Sequence, residues 1–290
     1  MIYVKNLFYS YTRDDHYAVK DISFDIEKGE IFGFLGPSGA GKSTTQGILT
    51  GLLPLQKGEA VVDGYDLHKE DKKRFNRIGM SFEQSNLYSK LTAEENLRYY
   101  AKLFDVPTRD PRALIELVGL GGKEKQKAGS FSKGMKHRLT FARSLLNNPA
   151  MWFLDEPTTG LDPAIAAQIK EIIRNERQNG VTTFLTTHNM FIADELCDRV
   201  AFIVDGEIKL IDSPRALKLR YGRKTVAVEY MEGDVLKKDN FAPADGQDRE
   251  RLHLILDTYE IVTMHSREAT LEEIFIRVTG KGLTADEAVE

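Results

Sequence analysis

The sequence predicts an α/β fold with a mostly parallel core sheet, joined to an N-terminal antiparallel β subdomain. The first observation is that short apolar runs alternate with helical patterns through residues 31–211. Repeated alternation of this kind favours parallel strands with helices on both faces of the sheet. The second observation is that residues 2–8 and 22–26 show the two-residue period of half-buried strands. We expect these two segments to form the smaller antiparallel sheet.

A glycine-rich loop follows the apolar run 31–35 and fits the pattern G-x-x-x-x-G-K-[ST]. Its residues are Gly36, Pro37, Ser38, Gly39, Ala40, Gly41, Lys42, Ser43 and Thr44. A buried strand that turns into a helix here would aim backbone N–H groups and the helix dipole at an anion. Lys42 can then reach the β- and γ-phosphates, and the Ser43 hydroxyl can ligate Mg²⁺. The alternative is a Gly/Ser turn that matches by chance, but the strand before it and the helix after it favour a P-loop NTPase.

Composition and length indicate a globular protein larger than one average domain. The 290 residues are 41% hydrophobic and 29% charged, which is ample material for a core. A net charge of -4 and a pI near 6.0 show no nucleic-acid footprint, so we expect no nucleic-acid partner. A single cysteine, Cys197, excludes an intrachain disulfide framework, and we expect it to pack in the core. Without a signal pattern or a run of about 18 apolar residues, the sequence predicts a cytoplasmic protein.

Polar side chains follow two predicted strands at the point where each strand ends. The apolar run that begins at Met151 delivers Asp155 and Glu156, and residues 78–82 are followed shortly by Gln84. In an open α/β sheet, ligands bind at the carboxyl ends of the strands. Asp155 suits the metal and Glu156 the attacking water, although a strand-terminal acidic turn is the alternative. An amide at Gln84 can contact both Mg²⁺ and the water.

Two further side chains have both a functional and an ordinary structural interpretation. His188 ends the apolar run 181–187 and can reach a γ-phosphate, but a lone histidine is commonly a structural residue. Tyr11 lies upstream of the phosphate loop and can stack on a nucleotide base, but a tyrosine near a strand end commonly packs at the sheet edge.

A helical insert is predicted at about residues 85–147. Apolar residues recur there at the three-to-four-residue spacing of a helix. Thr92 and Glu95 have the spacing of a capping box at the start of its first helix. Beyond the carboxylate pair Asp155 and Glu156, Asp162 is expected to cap a helix that Pro163 opens.

Beyond Pro214 the pattern changes to a small α+β appendix without a visible catalytic motif. Predicted strands, with a polar stretch between the first two, cover residues 224–230, 252–257 and 259–264. A short helix is predicted at residues 271–278. We therefore divide the chain into residues 1–220, an appendix of residues 221–280 and an acidic, mobile tail of residues 281–290.

With these residues in view, the chain resembles the nucleotide-binding subunits of ABC transporters, in particular the stand-alone ATPases paired with ABC-2 type membrane subunits, many of which are exporters. The resemblance covers about the first 220 residues through ordered motifs. In the family's terms these are Walker A at residues 36–44, the Q-loop at Gln84, Walker B at residues 151–155, the catalytic carboxylate Glu156, the D-loop of Gly160, Leu161 and Asp162, and the switch histidine His188. Tyr11 matches the base-stacking aromatic, with Tyr17 as the second candidate.

The signature segment departs from the family's usual LSGGQ. It is formed here by Phe131, Ser132, Lys133, Gly134 and Met135. The serine and the second glycine, which would contact the γ-phosphate, are retained. Lys133 and Met135 are unusual residues at their positions, although similar Ser-Lys-Gly-Met forms occur in the exporter-associated branch of the family.

The resemblance implies an ATPase that uses ATP and Mg²⁺ at composite sites, each between Walker A of one chain and the signature of another. It implies a second nucleotide-binding chain, for which we favour a homodimer, and polytopic membrane subunits of the ABC-2 type. The protein would then be a motor subunit attached peripherally to the cytoplasmic face of the membrane. A soluble ABC-type ATPase acting on ribosomes or nucleic acid is the alternative. A small-molecule kinase or GTPase is disfavoured because it explains neither the Ser-Lys-Gly-Met segment nor the Asp155-Glu156 pair.

Overall fold

The computed structural model describes residues 1–12, 16–222 and 225–282. In chain order the strands are β1 (Ile2–Tyr9), β2 (Val19–Ile26), β3 (Ile31–Leu35), β4 (Lys57–Val62), β5 (Tyr65–Asp66), β6 (Ile78–Ser81), β7 (Met151–Asp155), β8 (Thr182–Thr187), β9 (Arg199–Val204), β10 (Glu207–Asp212), β11 (Thr225–Glu232), β12 (Val235–Phe241) and β13 (Glu260–Arg267). The helices are α1 (Lys42–Thr50), α2 (Ala93–Ala101), α3 (Pro111–Leu117), α4 (Lys133–Arg143), α5 (Pro163–Gln178), α6 (Met190–Leu196), α7 (Pro214–Tyr221), α8 (Gly246–Thr258) and α9 (Leu271–Thr279). Position 224, where a strand is predicted to begin, and residues 283–290 of the predicted tail lie outside the described residues.

A six-stranded sheet in the order β10-β9-β3-β8-β7-β6 forms the centre of the fold. The pairs from β9 to β6 are all parallel, and β10 returns antiparallel to β9. Strands β3 and β8 are buried along their whole length, as expected for a parallel sheet covered on both faces. The mostly parallel core sheet is therefore confirmed, and the carboxyl ends of β3, β6, β7 and β8 meet at one edge.

The N-terminal antiparallel sheet, in the order β2-β1-β4-β5, covers one face of this core. Aromatic rings fill the space between the two sheets. Phe24 of β2 lies 5.6 Å from Phe34 of β3, and Phe34 lies 5.3 Å from Phe184 of β8, measured between ring centroids. These rings are buried, so the two-residue period of β2 reflects one face packed against the core sheet.

The helical insert consists of α2, α3 and α4 and packs on the opposite face of the core. Thr92 and Glu95 form the predicted capping box at the start of α2. Between α2 and α3, the Arg109 guanidinium donates from Nη1 and Nη2 to the two carboxylate oxygens of Glu176 in α5, at 2.6 Å each. Glu176 is buried, so this bidentate pair joins the insert to the core.

The C-terminal part divides by packing into two pieces. The sheet β12-β11-β13 and helix α8 enclose a small core of Val228, Tyr230, Phe241 and Ile255. Helix α9, in contrast, returns to the main core, where the Phe275 ring meets the Phe202 ring of β9 edge-on at 5.1 Å. The predicted appendix of residues 221–280 therefore contributes its last helix to the hydrophobic core of residues 1–220.

One predicted strand of the appendix is wrong, since residues 252–257 belong to helix α8. The alternation of Leu252, Leu254 and Leu256 suggested a strand, but Leu254 is 64% exposed. The buried face is instead formed by residues at helical spacing, with Ile255 in the core and Leu252 packed beside it. Strand β12 lies in the stretch that the sequence predicts to be a polar connection. The strand is hard to predict from its sequence because only its last residue, Phe241, is buried.

Candidate active site

A cleft of about 630 Å³ opens at the carboxyl ends of the central strands. It brings together residues from five separate parts of the sequence. The lining residues are Tyr11, Ala18, Ser38, Gly39, Gly41, Lys42, Ser43, Thr44, Glu83, Asp155, Glu156 and His188. The predicted phosphate loop, the paired carboxylates, the strand-tip histidine and the upstream tyrosine therefore lie around one space.

The loop between β3 and α1 has a backbone that only glycine accommodates at two positions. A Cβ on Gly36 would lie 2.1 Å from the Ile203 carbonyl oxygen, and one on Gly41 would lie 2.6 Å from the Ala18 carbonyl oxygen. Gly41 also has φ 105° and, as the N-cap of α1, carries no side chain to satisfy the first N–H groups of the helix. This open helix N-terminus facing the cleft fits an anionic phosphate.

Lys42 lies across the loop and is the cation of the cleft. Its Nζ donates to the carbonyl oxygens of Gly36 at 2.6 Å and Pro37 at 2.9 Å. Burial lowers the pKa of Lys42, while the charges of Glu156, Asp155 and Glu83 oppose that shift. The ammonium group is thus held beside three carboxylates.

Asp155 ends strand β7 and carries the carboxylate suited to a metal ion. Its Oδ1 accepts a hydrogen bond of 2.5 Å from Thr186 Oγ1 on the neighbouring strand. Burial raises the pKa of Asp155, with smaller contributions from the charges of Glu156 and Glu83. A cation would relieve this accumulation of negative charge, and the Ser43 hydroxyl lies in the same cleft.

The oxygen donors of this cleft fit Mg²⁺. Mg²⁺ prefers oxygen ligands and is commonly bound through one or two carboxylates together with substrate phosphates. Within the described ranges, no group of three or more His, Cys, Asp or Glu side chains forms a preassembled metal site. The donor set of Ser43 and Asp155 therefore suits a cation that arrives with the phosphates.

Glu156 is held by four hydrogen bonds on a backbone of positive φ. Its φ is 49°, which is uncommon for a residue with a side chain and recurs at functional sites. Thr159 and Thr187 hydroxyls each donate to Oε2 at 2.9 Å, and the His188 backbone N–H donates to Oε1 at 2.9 Å. The carboxylate is therefore fixed in one orientation at the edge of the cleft.

His188 completes the arrangement around Glu156. Its Nδ1 lies 2.6 Å from Glu156 Oε1, and its side chain is 58% exposed. Because an ionised carboxylate can only accept, we assign the Nδ1 hydrogen as the donor. The other ring nitrogen, Nε2, can donate to a phosphate oxygen when the ring is the imidazolium, in which both nitrogens carry hydrogen, so the geometry fits the predicted role of His188.

Tyr11 and Tyr17 occupy different environments. The Tyr11 hydroxyl lies 3.0 Å from Thr44 Oγ1, and its ring is 64% exposed at the cleft. Tyr17 packs its ring edge-on against Phe8 at 5.4 Å and is not among the cleft residues. Of the two candidates, Tyr11 is the one placed to stack on a base.

The structure places Glu83 at the cleft beside the predicted Gln84. Glu83 lines the cleft, whereas Gln84 does not. Strand β6 ends at Ser81, which pairs with Leu154 of β7, and Glu83 is the second residue after Ser81 as Glu156 is the second after Leu154. The predicted strand is one residue longer than β6, and the choice between Glu83 and Gln84 depends on the register of β6 on β7.

The signature segment and the D-loop lie together but outside this cleft. Ser132 caps α4, with its Oγ accepting from the Met135 N–H at 3.2 Å. A Cβ on Gly134 would lie 3.5 Å from Leu161 Cδ2, which places the two motifs side by side. Asp162 caps α5 as predicted, accepting from the Ile165 N–H at 3.1 Å. None of residues 131–135 or 160–162 lines the cleft of the same chain.

Comparison with known proteins identifies the family. Residues 19–159 match the family model described as ABC transporter. A fluoroquinolones export ATP-binding protein of Mycobacterium tuberculosis (strain CDC 1551 / Oshkosh) is 48% identical over 285 residues, covering 98% of this chain and 95% of that protein. The chain belongs to the ABC transporter ATP-binding family. The ABC cassette is also 38% identical over 212 residues to the linearmycin resistance ATP-binding protein LnrL of Bacillus subtilis (strain 168), covering 72% of this chain and 68% of that protein.

Solved structures agree with this assignment. An ATP-binding cassette solved as a dimer in a post-hydrolysis state with ADP and Pi superimposes with a TM-score of 0.67 at 27% identity, covering 73% of this chain and 98% of that one. The ABC cassette described here is accordingly an ATP-binding protein and an ATPase. Among the helices of the described residues, none has the length and apolar character needed to cross a bilayer.

Three threonines that hold the paired carboxylates were not among the predicted site residues. Thr159 and Thr187 donate to Glu156, and Thr186 donates to Asp155. These threonines were visible only as parts of a turn and a buried strand. The sequence does place two successive threonines, Thr186 and Thr187, at the end of β8. This strand pairs with β7, which carries the carboxylates, so the two hydroxyls can be expected near Asp155 and Glu156.

Proposed function

We propose that this chain is the motor subunit of an ABC exporter, working as a homodimer on separate ABC-2 type membrane subunits. The observation that carries the proposal is the separation of motifs within one chain. The cleft holds Lys42, Asp155, Glu156 and His188, while the signature serine Ser132 lies outside it. The cleft of one chain therefore contains the phosphate loop but not the signature segment. A second chain would complete the site by supplying its own signature segment.

Within each site, the residues divide the chemistry of ATP hydrolysis between them. Mg²⁺, held by Ser43 and Asp155, supplies positive charge to the phosphates when it is bound. Lys42 binds the β- and γ-phosphates, and its reach over the loop fits that role. Glu156 accepts a proton from the attacking water, and His188, as the imidazolium, donates from Nδ1 to the carboxylate and from Nε2 to the γ-phosphate.

A homodimer is supported by the presence of every motif in one chain. Each copy offers one phosphate loop and one signature, so two copies related by a two-fold axis form two identical composite sites. Lys133 and Met135 lie beside Ser132 at the start of α4, and Lys133 is exposed there. We propose that Lys133 faces the phosphates of the nucleotide bound by the partner chain.

The export function is supported by the relatives, whose names refer to fluoroquinolones export and linearmycin resistance. The transported substrate is a property of the membrane subunits. We propose that the chain is cytoplasmic and attaches to the inner face of the membrane through those subunits.

The helical insert carries a surface that fits such a membrane partner. Tyr88, Tyr99 and Leu103 are exposed by 46%, 46% and 63%. Beneath them, Arg143 stacks on Tyr100 at 4.4 Å and donates to the Asn86 carbonyl oxygen at 3.0 Å. This network joins the insert to the segment that follows Glu83, so a change in the cleft can be transmitted to the exposed aromatic surface.

The test is affinity purification of the tagged chain from detergent-solubilised membranes of its native cells. We expect a polytopic membrane protein at stoichiometric amounts, and we expect the double variant Tyr88→Ala/Tyr99→Ala to lose it while still binding ATP. Leu236→Ala, an exposed residue of the C-terminal sheet, is the matched control and should retain the partner. Recovery of ribosomes or nucleic acid in place of a membrane protein would support the non-transport alternative.

A further inference from the structure

Glu83 introduces a third carboxylate into the nucleotide cleft. It lies at the carboxyl end of β6, beyond the paired residues Ser81 and Leu154. An amide at Gln84 was the predicted residue for this side of the cleft. A carboxylate lines the cleft where a neutral amide was expected, and it adds negative charge beside the site proposed for the negative phosphates.

The described side chains that line the cleft carry more negative than positive charge. Glu83, Asp155 and Glu156 face Lys42, while His188 is engaged with Glu156. The charge of Glu83 acts on both Asp155 and Lys42. It raises the pKa of Asp155 and opposes the lowering of the pKa of Lys42. Glu83 itself is exposed at the bend after β6.

We propose that Glu83 makes nucleotide binding by this chain depend on a divalent cation, because its carboxylate attracts Mg²⁺ and repels nucleotide phosphates that arrive without it. This inference deepens the proposed ATPase site and rests on that proposed function. Ser43 and Asp155 would remain the cation's protein donors, and the Glu83 carboxylate would add negative charge to the same cleft.

The proposal predicts effects of opposite sign in the presence and absence of Mg²⁺. Replacing Glu83 by the isosteric amide removes a like charge near the phosphates, so binding without Mg²⁺ should strengthen. The same change removes an attraction for Mg²⁺, so a higher Mg²⁺ concentration should be needed. Two unit charges within several ångströms in a partly solvated cleft alter an affinity by roughly tenfold. A purely structural role for Glu83 would instead weaken binding under both conditions.

The experiment is calorimetric titration with a non-hydrolysable ATP analogue, in EDTA and across a series of Mg²⁺ concentrations. For Glu83→Gln we expect roughly tenfold tighter binding in EDTA and a several-fold higher Mg²⁺ concentration at half-maximal binding. Gln84→Ala is the matched control and should match the parent chain. The exchanged variant Glu83→Gln/Gln84→Glu keeps the net charge of the chain and should behave like Glu83→Gln, because position 84 does not line the cleft.

Several results would overturn the proposal. Unchanged binding of Glu83→Gln in both conditions is one, and reproduction of its effects by Gln84→Ala is another. Equal affinity of the parent chain with and without Mg²⁺ would reject the role of Glu83 and leave the proposed ATPase function standing. A parent chain that binds no nucleotide in either condition would reject both. Unfolding midpoints of all variants should equal that of the parent, because Glu83 and Gln84 are exposed.

Discussion

The Nδ1 atom of His188 lies 2.6 Å from Oε1 of Glu156, and the His188 backbone N–H donates to the same oxygen at 2.9 Å. One residue at the end of β8 therefore fixes the carboxylate that follows β7. Since β7 and β8 are paired in parallel, their register sets this contact. These two contacts hold the carboxylate in one orientation, as the proposed role of Glu156 as general base requires.

Replacing Glu156 by glutamine should slow ATP hydrolysis by about 10²- to 10⁴-fold, because a positioned general base contributes an effect of that size. The amide keeps the size of the side chain, so ATP affinity should stay within about threefold of the parent. Phosphate release and calorimetric ATP binding measure the two effects. Glu207→Gln, a change at an exposed carboxylate, is the control and should hydrolyse normally. Normal hydrolysis by Glu156→Gln would exclude Glu156 as the base.

Replacing Tyr11 by alanine should weaken ATP binding by about 5- to 100-fold, the range expected when one aromatic ring stacks on a base. Tyr17→Ala is the matched control, since Tyr17 packs on Phe8 away from the cleft. Affinities for ATP and for inorganic triphosphate should be compared, because only the former presents a base. A loss of affinity confined to Tyr17→Ala would reverse the assignment.

Replacing Arg109 by alanine should lower the free energy of unfolding by roughly 2–3 kcal/mol, because it leaves the buried Glu176 carboxylate unpaired. This value is reduced from that of a fully buried pair because Arg109 is 25% exposed. Urea unfolding measures the change. Adding Glu176→Gln should recover part of the loss, while Arg112→Ala at an exposed ion pair should have no measurable effect. Equal stability of Arg109→Ala and the parent would contradict a structural link between insert and core.

Replacing Phe275 by alanine should destabilise the cassette core by about 3–5 kcal/mol, the usual cost of removing a buried phenyl ring. The ring packs against Phe202 in the central sheet, so ATP binding should also be lost at a lower temperature than in the parent. Leu254→Ala removes a side chain that is 64% exposed and serves as the control. If Phe275→Ala melted only the C-terminal sheet and left ATP binding unchanged, α9 would belong to an independent appendix.

Much of the central architecture could be predicted because its signals are local. The run Ile31–Leu35 and the glycines after it identify a strand, a turn and a helix start without reference to the rest of the chain. The capping box at Thr92 and the cap at Asp162 were predicted from residue type and spacing in the same way.

The features that were missed depend on contacts between distant segments. Glu83 could be distinguished from Gln84 only through the register of β6 on β7. Helix α8 was interpreted as a strand because the exposure of Leu254 is decided by the sheet on which α8 packs. The packing of α9 on Phe202 joins residues more than 70 positions apart, which no periodicity in either segment reveals.

In the proposed homodimer, two copies of this chain complete each other's nucleotide sites. The most direct measurement is the solution mass of the Glu156→Gln chain, determined by light scattering with and without Mg-ATP. We expect the mass of a monomer, 32.8 kDa, without nucleotide and about twice that mass with Mg-ATP. Ser132→Arg in the same background should bind ATP and remain monomeric. A Glu156→Gln chain that binds Mg-ATP and stays at the monomer mass would contradict self-completed sites.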